Sequence, residues 1–185
     1  MKRSYTLITA ACLSLFATGA WAQKTMNTDI VVIGAGAAGT AAGLAAAERG
    51  AKVIMLEKQA STGGTGKFSE GIFAVESQMQ REWNYDLTKD QAFRMIMNYG
   101  HWRSNAKMVR AFVDKSADSI DWMKGHGVKF EKLTSNYPGG IYTWHIYEGR
   151  GAGWINLMQG KYKAMGHPIL LETPAKELIQ KDGKV

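Results

Sequence analysis

The sequence predicts an α/β fold of three layers around a central parallel sheet, and three adjacent segments predict it. Asp29-Ile30-Val31-Val32-Ile33 is a short, nearly continuous apolar run bounded by glycine, the pattern of a strand buried on both faces. Gly34 to Gly39 follow as a glycine turn. An Ala-rich segment from Thr40 to Arg49 then reads as a helix ended by Gly50, which suits the left-handed position after a helix. Lys52-Val53-Ile54-Met55-Leu56-Glu57 is a second apolar strand. Strand, turn, helix and strand within about 30 residues make a βαβ unit, whose crossover is expected to be right-handed.

Beyond it, Gln59 to Ser77 is rich in Gly, Ser and Thr and reads as a functional loop. Thr88 with Gln91 three residues later is a capping box that opens a helix to about Asn98. A second helical stretch runs from about Ser104 to Lys124, ended by Gly125. Its Val109, Phe112, Val113, Ile120 and Met123 recur at core-packing spacing. Tyr137-Pro138-Gly139-Gly140 is a turn. Gly149 to Gly153 form a second glycine-rich turn into a short helix to about Met165, ended by Gly166, and Ile169 to Leu171 read as a strand. Glu177-Leu178-Ile179 reads as a further strand before the hairpin dipeptide Asp182-Gly183. The returning arm holds only Lys184 and Val185, so the chain is expected to be cut within a hairpin.

Composition narrows the function classes. The 185 residues, 45% hydrophobic and 21% charged, suffice for one buried core. Lys2 and Arg3, the apolar stretch Tyr5 to Ala17 and Ala20-Trp21-Ala22 before Gln23 have the anatomy of a secretory signal peptide over residues 1–22. That stretch is well short of the roughly 20 residues of a spanning helix. The mature chain, 23–185, is therefore expected to be exported to the periplasm without a transmembrane segment. Cys12 is the only cysteine, so the mature part has no disulfides, thiolate metal sites, iron–sulfur clusters or C-x-x-C-H haem attachment. His101, His126, His145 and His167 lack metal-ligand spacing, and no metal site is expected. His101-Trp102-Arg103 and Thr143-Trp144-His145 read as ordinary packed surface. The net charge of +7 is dispersed, with no nucleic-acid recognition motif, and suits an anionic cofactor or substrate in a mildly basic cleft.

Gly34-Ala35-Gly36-Ala37-Ala38-Gly39 is G-x-G-x-x-G in its required context: a strand before, a helix after, and Glu57 closing the second strand. Gly34 permits the tight turn, Gly36 lets a pyrophosphate approach the backbone, and Gly39 lets helix and sheet pack closely. The helix N-terminus presents free N–H groups and a positive dipole end to phosphates. Glu57 can accept hydrogen bonds from an adenosine ribose, and its charge opposes a 2′-phosphate, which speaks against NADP.

Asp29–Gly39, the segment Glu57–Gly71 and Thr173-Pro174-Ala175 together resemble the FAD-binding domain shared by fumarate reductases, succinate dehydrogenase flavoprotein subunits and 3-ketosteroid dehydrogenases. Soluble, exported flavoprotein reductases are the nearest type, and the resemblance covers residues 28–185. It implies an incomplete FAD domain of Rossmann-like architecture, in which 23–185 is the N-terminal part without the capping or substrate domain and the C-terminal FAD segment. Gly34, Gly36, Ala38 and Gly39 would line the pyrophosphate, and Glu57 and Lys58 the adenosine ribose region. Gly64, Thr65, Gly66 and Gly71 would run beside phosphates and flavin through their main chain, and the Ala175 backbone would meet the adenine.

Where this chain has Gly71-Ile72 the family often has two glycines, and where it has Glu70 a small residue. Glu70 facing the flavin would lower its potential. Relatives with covalent FAD attach it through a histidine before the glycine pair. Residues 58–76 contain none, so non-covalent FAD is expected.

The activity implied is hydride transfer between FAD and an activated C–C bond of a small organic substrate. Electrons would come from a cytochrome or flavin carrier on another domain or protein. The family's proton-donating arginine and carboxylate clamps would lie beyond Val185, so no catalytic residue is named. Two other readings stay open at this point. A truncated, non-catalytic FAD-binding remnant would be marked by a natural stop after Val185. An NAD-dependent dehydrogenase would bind nicotinamide and lack flavin absorbance.

Overall fold

The computed structural model describes residues 25–135 and 138–181. Strand β1 (Ile30–Ile33), helix α1 (Ala37–Glu48) and strand β2 (Val53–Leu56) form the βαβ start, closed by β6 (Ile169–Leu170). These strands make a parallel sheet of order β1-β2-β6, with Ile30 beside Val53 and Met55 beside Ile169. Between β2 and β6 lie a 3₁₀ turn (Gly64–Phe68), β3 (Gly71–Phe73), α2 (Gln78–Glu82), α3 (Lys89–Tyr99), α4 (Ala106–Asp114), α5 (Ser116–Gly125), β4 (Phe130–Thr134), β5 (Trp144–Tyr147) and α6 (Arg150–Ala164). A second, antiparallel sheet has the order β3-β5-β4.

The main core lies where α1 and α6 meet the parallel sheet. Leu44 and Ala47 of α1, Val53 and Met55 of β2, and Met158 and Tyr162 of α6 are all buried there. The Tyr162 hydroxyl donates to the Val53 carbonyl at 2.9 Å, and burial pushes its pKa up to about 12, so it stays a neutral donor. Leu44, Met55, Met158 and Tyr162 each remove enough apolar area to contribute about 1.5–3 kcal/mol.

Several expectations hold closely. The Thr88–Gln91 capping box is formed in both directions and opens α3. Gly50 follows the C-cap of α1 at φ +84°, and Gly166 follows that of α6 at φ +86°.

Others are corrected. The first strand is not buried on both faces: Val31 and Ile33 are 52% and 58% exposed, because β1 is an edge strand. Helices α1 and α6 cover one face of the sheet, and no described layer covers β1 on the other. The stretch Ser104–Lys124 is two helices broken at Lys115, and Phe112 is 52% exposed while Val113, Ile120 and Met123 are buried. Gly151 and Gly153 belong to the first turn of α6 and not to a loop. A Cβ on Gly151 would collide with the Gly66 carbonyl oxygen, so glycine here permits contact with the 3₁₀ turn. Glu177–Ile179 forms no strand, and Leu178 and Ile179 are exposed. The second sheet and α2 were not anticipated: their segments are short and lack a clean period of two or 3.6. Residues 1–22, Tyr137 and Asp182–Val185 lie outside the described residues. No described helix is long and apolar enough to cross a membrane.

Candidate dinucleotide site

The three motif glycines have three different local causes. Gly34 has φ +98°, a conformation that a side chain would strain. At Gly36 a Cβ would meet only the Gly63 carbonyl oxygen, at 3.8 Å, so the space above the turn is open. At Gly39 a Cβ would collide with the Gly34 carbonyl oxygen, so only hydrogen lets α1 start this close to the turn. Gly36 is the N-cap of α1; no side chain caps this end and no acidic residue lies in its first turn. The orphan N–H groups and the positive dipole end are thus left for an anion.

Glu57 is 7% exposed and both of its carboxylate oxygens are engaged. Oε2 accepts from Ala35 N–H at 2.8 Å and Oε1 from Gln59 N–H at 2.9 Å. The Gln59 backbone donor, with those of Ala35 and Lys58, holds the Glu57 pKa below its usual value against the opposing effect of burial. An ionised carboxylate has lone pairs left after two hydrogen bonds, so ribose hydroxyls can still donate to it.

A cavity of about 490 Å³ opens at this carboxylate, lined by Ile33, Gly34, Leu56, Glu57, Lys58, Gln59, Gly64 and Thr173-Pro174-Ala175. The last segment is brought there by backbone bonds from Glu172 N–H to Gln59 O and from Thr173 N–H to Glu57 O. One cavity therefore gathers Gly34, Glu57, Lys58, Gly64 and Ala175 of the expected residues. Gly36, Ala38 and Gly39 stand at the adjoining turn and first turn of α1. Thr65 is exposed on the 3₁₀ turn, and Gly66 abuts Ala37, where a Cβ would lie 2.9 Å from the Ala37 Cβ. Gly71 is not at the cavity; it is buried in β3 under the His145 carbonyl.

Sequence reasoning missed two features. Glu70 is paired with Arg150 of α6 at 2.9 Å, both exposed, so its charge is partly offset. Gln159 of α6, 4% exposed, hydrogen-bonds to Ala35, Thr40 and Thr62. A lone glutamine between methionine and glycine carries no sequence signal of such a role.

The histidines occupy different settings, and the surface position expected for Thr143-Trp144-His145 does not hold at His145. His145 is buried, and its Nδ1 lies 3.1 Å from the Thr143 carbonyl, which makes Nδ1 the protonated nitrogen and Nε2 the acceptor from Ser77 Oγ at 2.7 Å. Burial lowers its pKa and keeps it neutral. His126 pairs with Glu48 at 2.8 Å, and His167 Nδ1 accepts from Val53 N–H. His101 is exposed at φ +49°. No group of three or more His, Cys, Asp or Glu suited to a metal occurs among the described residues.

An open glycine turn at an uncapped helix start, with an ionised carboxylate and a cavity beside it, defines a dinucleotide-binding α/β domain. Comparison with known proteins supplies the dinucleotide. Residues 29–185 match the family model described as FAD binding domain, and the chain belongs to that family. It is 38% identical over 153 residues to the vinyl phenol reductase of Lactiplantibacillus plantarum, covering 82% of this chain and 31% of that protein. It is 29% identical to the NADH:fumarate oxidoreductase of Klebsiella pneumoniae, covering 85% of this chain and 17% of the relative. Among solved structures, the open conformation of a flavocytochrome c3 fumarate reductase superposes with a TM-score of 0.75 at 26% identity, over 84% of this chain and 28% of the other. The chain thus spans about a third or less of the length of these relatives.

Proposed function

We propose that this chain is the N-terminal FAD-binding portion of an exported flavin-dependent reductase acting on an activated C–C bond of a small organic substrate. The observation that carries the reading is the convergence of Gly34, Glu57, Lys58, Gly64 and Ala175 on one cavity beside the uncapped start of α1. In this reading the amides of Gly36, Ala38 and Gly39 receive the diphosphate, and Glu57 and Lys58 face the adenosine ribose. Ala175 meets the adenine through its backbone. Gly64, Thr65, Gly66 and Gly71 run along the phosphates and flavin.

When bound, FAD supplies hydride transfer at N5, and the chain's residues orient it and set its electrostatic surroundings. Glu57, ionised and locked by two backbone donors, recognises the sugar without having to move. Relatives named vinyl phenol reductase and NADH:fumarate oxidoreductase support a small unsaturated organic substrate. An electron carrier on another domain or protein completes the cycle. The signal-peptide-like pattern of residues 1–22, a basic start, an apolar stretch and Ala20-Trp21-Ala22, supports export to the periplasm.

With no histidine between residues 58 and 76, the flavin is held non-covalently. Acid precipitation of the flavin-loaded protein is expected to leave the yellow colour in the supernatant. Colour retained in the pellet would contradict non-covalent binding.

A further inference from the structure

Gln159 lies outside every motif, yet its amide is saturated inside the protein. Nε2 donates to the Ala35 carbonyl at 3.1 Å and to Thr40 Oγ1 at 2.8 Å, and Oε1 accepts from Thr62 Oγ1 at 2.6 Å. This pattern fixes which end of the amide is nitrogen. One side chain on α6 thereby joins the glycine turn, the first turn of α1 and the loop after β2. The Ala35 carbonyl also accepts from Gly63 N–H at 2.7 Å, while Ala35 N–H is held by Glu57. Ala35 is fully buried between these partners.

We infer that Gln159 is a positioning residue for the cofactor's diphosphate, acting through the Ala35–Gly36 peptide. A trans peptide is planar, with its C=O and N–H pointing in opposite directions. Gln159 and Gly63 draw the Ala35 carbonyl inward, so the Gly36 N–H of the same peptide turns outward, to the open side of the turn. Gly36 N–H donates to no group among the described residues. Without the glutamine donor, only Gly63 N–H restrains the carbonyl, and rotation of that peptide would withdraw the amide from the phosphate. Thr62 aims the glutamine: its hydroxyl occupies Oε1 and so directs Nε2 to Ala35 and Thr40.

This inference rests on the FAD-binding reading, and the test separates the two. The purified chain is titrated with FAD, ADP and adenosine, alongside Gln159→Leu and Thr62→Val. Wild type should bind all three. Gln159→Leu should weaken FAD and ADP about tenfold, the size of one lost buried hydrogen bond, and leave adenosine, held by the Glu57 side of the site, within about twofold. Thr62→Val, which keeps the glutamine and the volume, should weaken ADP by about two- to fivefold with adenosine unchanged, and it decides the matter if the leucine variant does not fold. Unchanged ADP affinity in both variants, or adenosine weakened in parallel with ADP, overturns the role of Gln159. A folded wild-type chain that binds neither FAD nor ADP overturns the FAD reading itself.

Discussion

The glycine turn at Gly34–Gly39 and the loop at Gly63–Gly71 flank the same site but are built on opposite terms. In the turn, every fixing contact is buried: Ala35 is fully enclosed, and Glu57 and Gln159 are 7% and 4% exposed. The loop is also anchored underneath, by Ser69 bonded to the Tyr147 hydroxyl and by Gly151 N–H donating to Ser69 O. Its upper surface, however, leaves Phe68 81% exposed and Glu70 in a solvent-facing ion pair. The turn, which in the proposed reading faces the adenosine diphosphate, is thus preformed by buried contacts of the chain itself, and the loop surface is fixed only from below and stays open to solvent. Substitutions in the turn should therefore cost both folding and cofactor binding, and those on the loop surface should change neither by much.

The hardest break is Gly39→Ala. Its Cβ meets backbone, the Gly34 carbonyl, and backbone cannot move aside as a flexible side chain can. Overpacking against side chains costs about 1–3 kcal/mol, and this variant should lose at least about 3 kcal/mol together with its FAD affinity. Urea unfolding and flavin titration check both.

Glu57→Gln comes next. Hydrogen bonds to a charged group contribute about 1.5–3 kcal/mol, so the cofactor-free chain should lose about 2 kcal/mol at pH 7. Its FAD affinity should fall by about tenfold or more. Because the folded pKa of Glu57 lies below the usual 4.5, the stabilisation is fully present above that pH and disappears as pH falls through the lowered value. Urea midpoints of wild type and variant should therefore differ at pH 7 and converge in acid. Midpoints that stay equally far apart at pH 7 and pH 3 would sink this account of Glu57.

The smallest effect belongs to the loop. Because Arg150 already offsets Glu70, and an exposed pair is worth about 0–1 kcal/mol, Glu70→Gln should raise the flavin midpoint by about 20 mV or less. A rise several times larger would show the carboxylate acting on the flavin uncompensated.

The same contrast marks what the sequence could convey. The turn was legible because each of its glycines answers a local demand of the chain: a positive φ at Gly34, open space at Gly36, close packing at Gly39. Glu57 was legible because its position follows from the length of one βαβ unit. Gln159, Thr62 and the Glu70–Arg150 pair were not, because their partners lie 80 to 124 residues away and no local pattern announces them. The exposure of β1 was misread for a related reason. An apolar run reports what a strand is suited to cover, and burial depends on which neighbours are present. The break at Lys115 escaped because apolar spacing on either side of it is continuous.

In the proposed function, the start of α1 and Glu57 together hold an FAD. The most direct measurement is a visible-absorbance and fluorescence titration of the folded, cofactor-free chain with FAD, run beside Glu57→Gln. Saturable quenching with a shifted flavin spectrum in the wild type, weakened about tenfold in the variant, is the result expected here. Flavin that stays free in the presence of folded wild-type protein, or binds both forms equally, would contradict it.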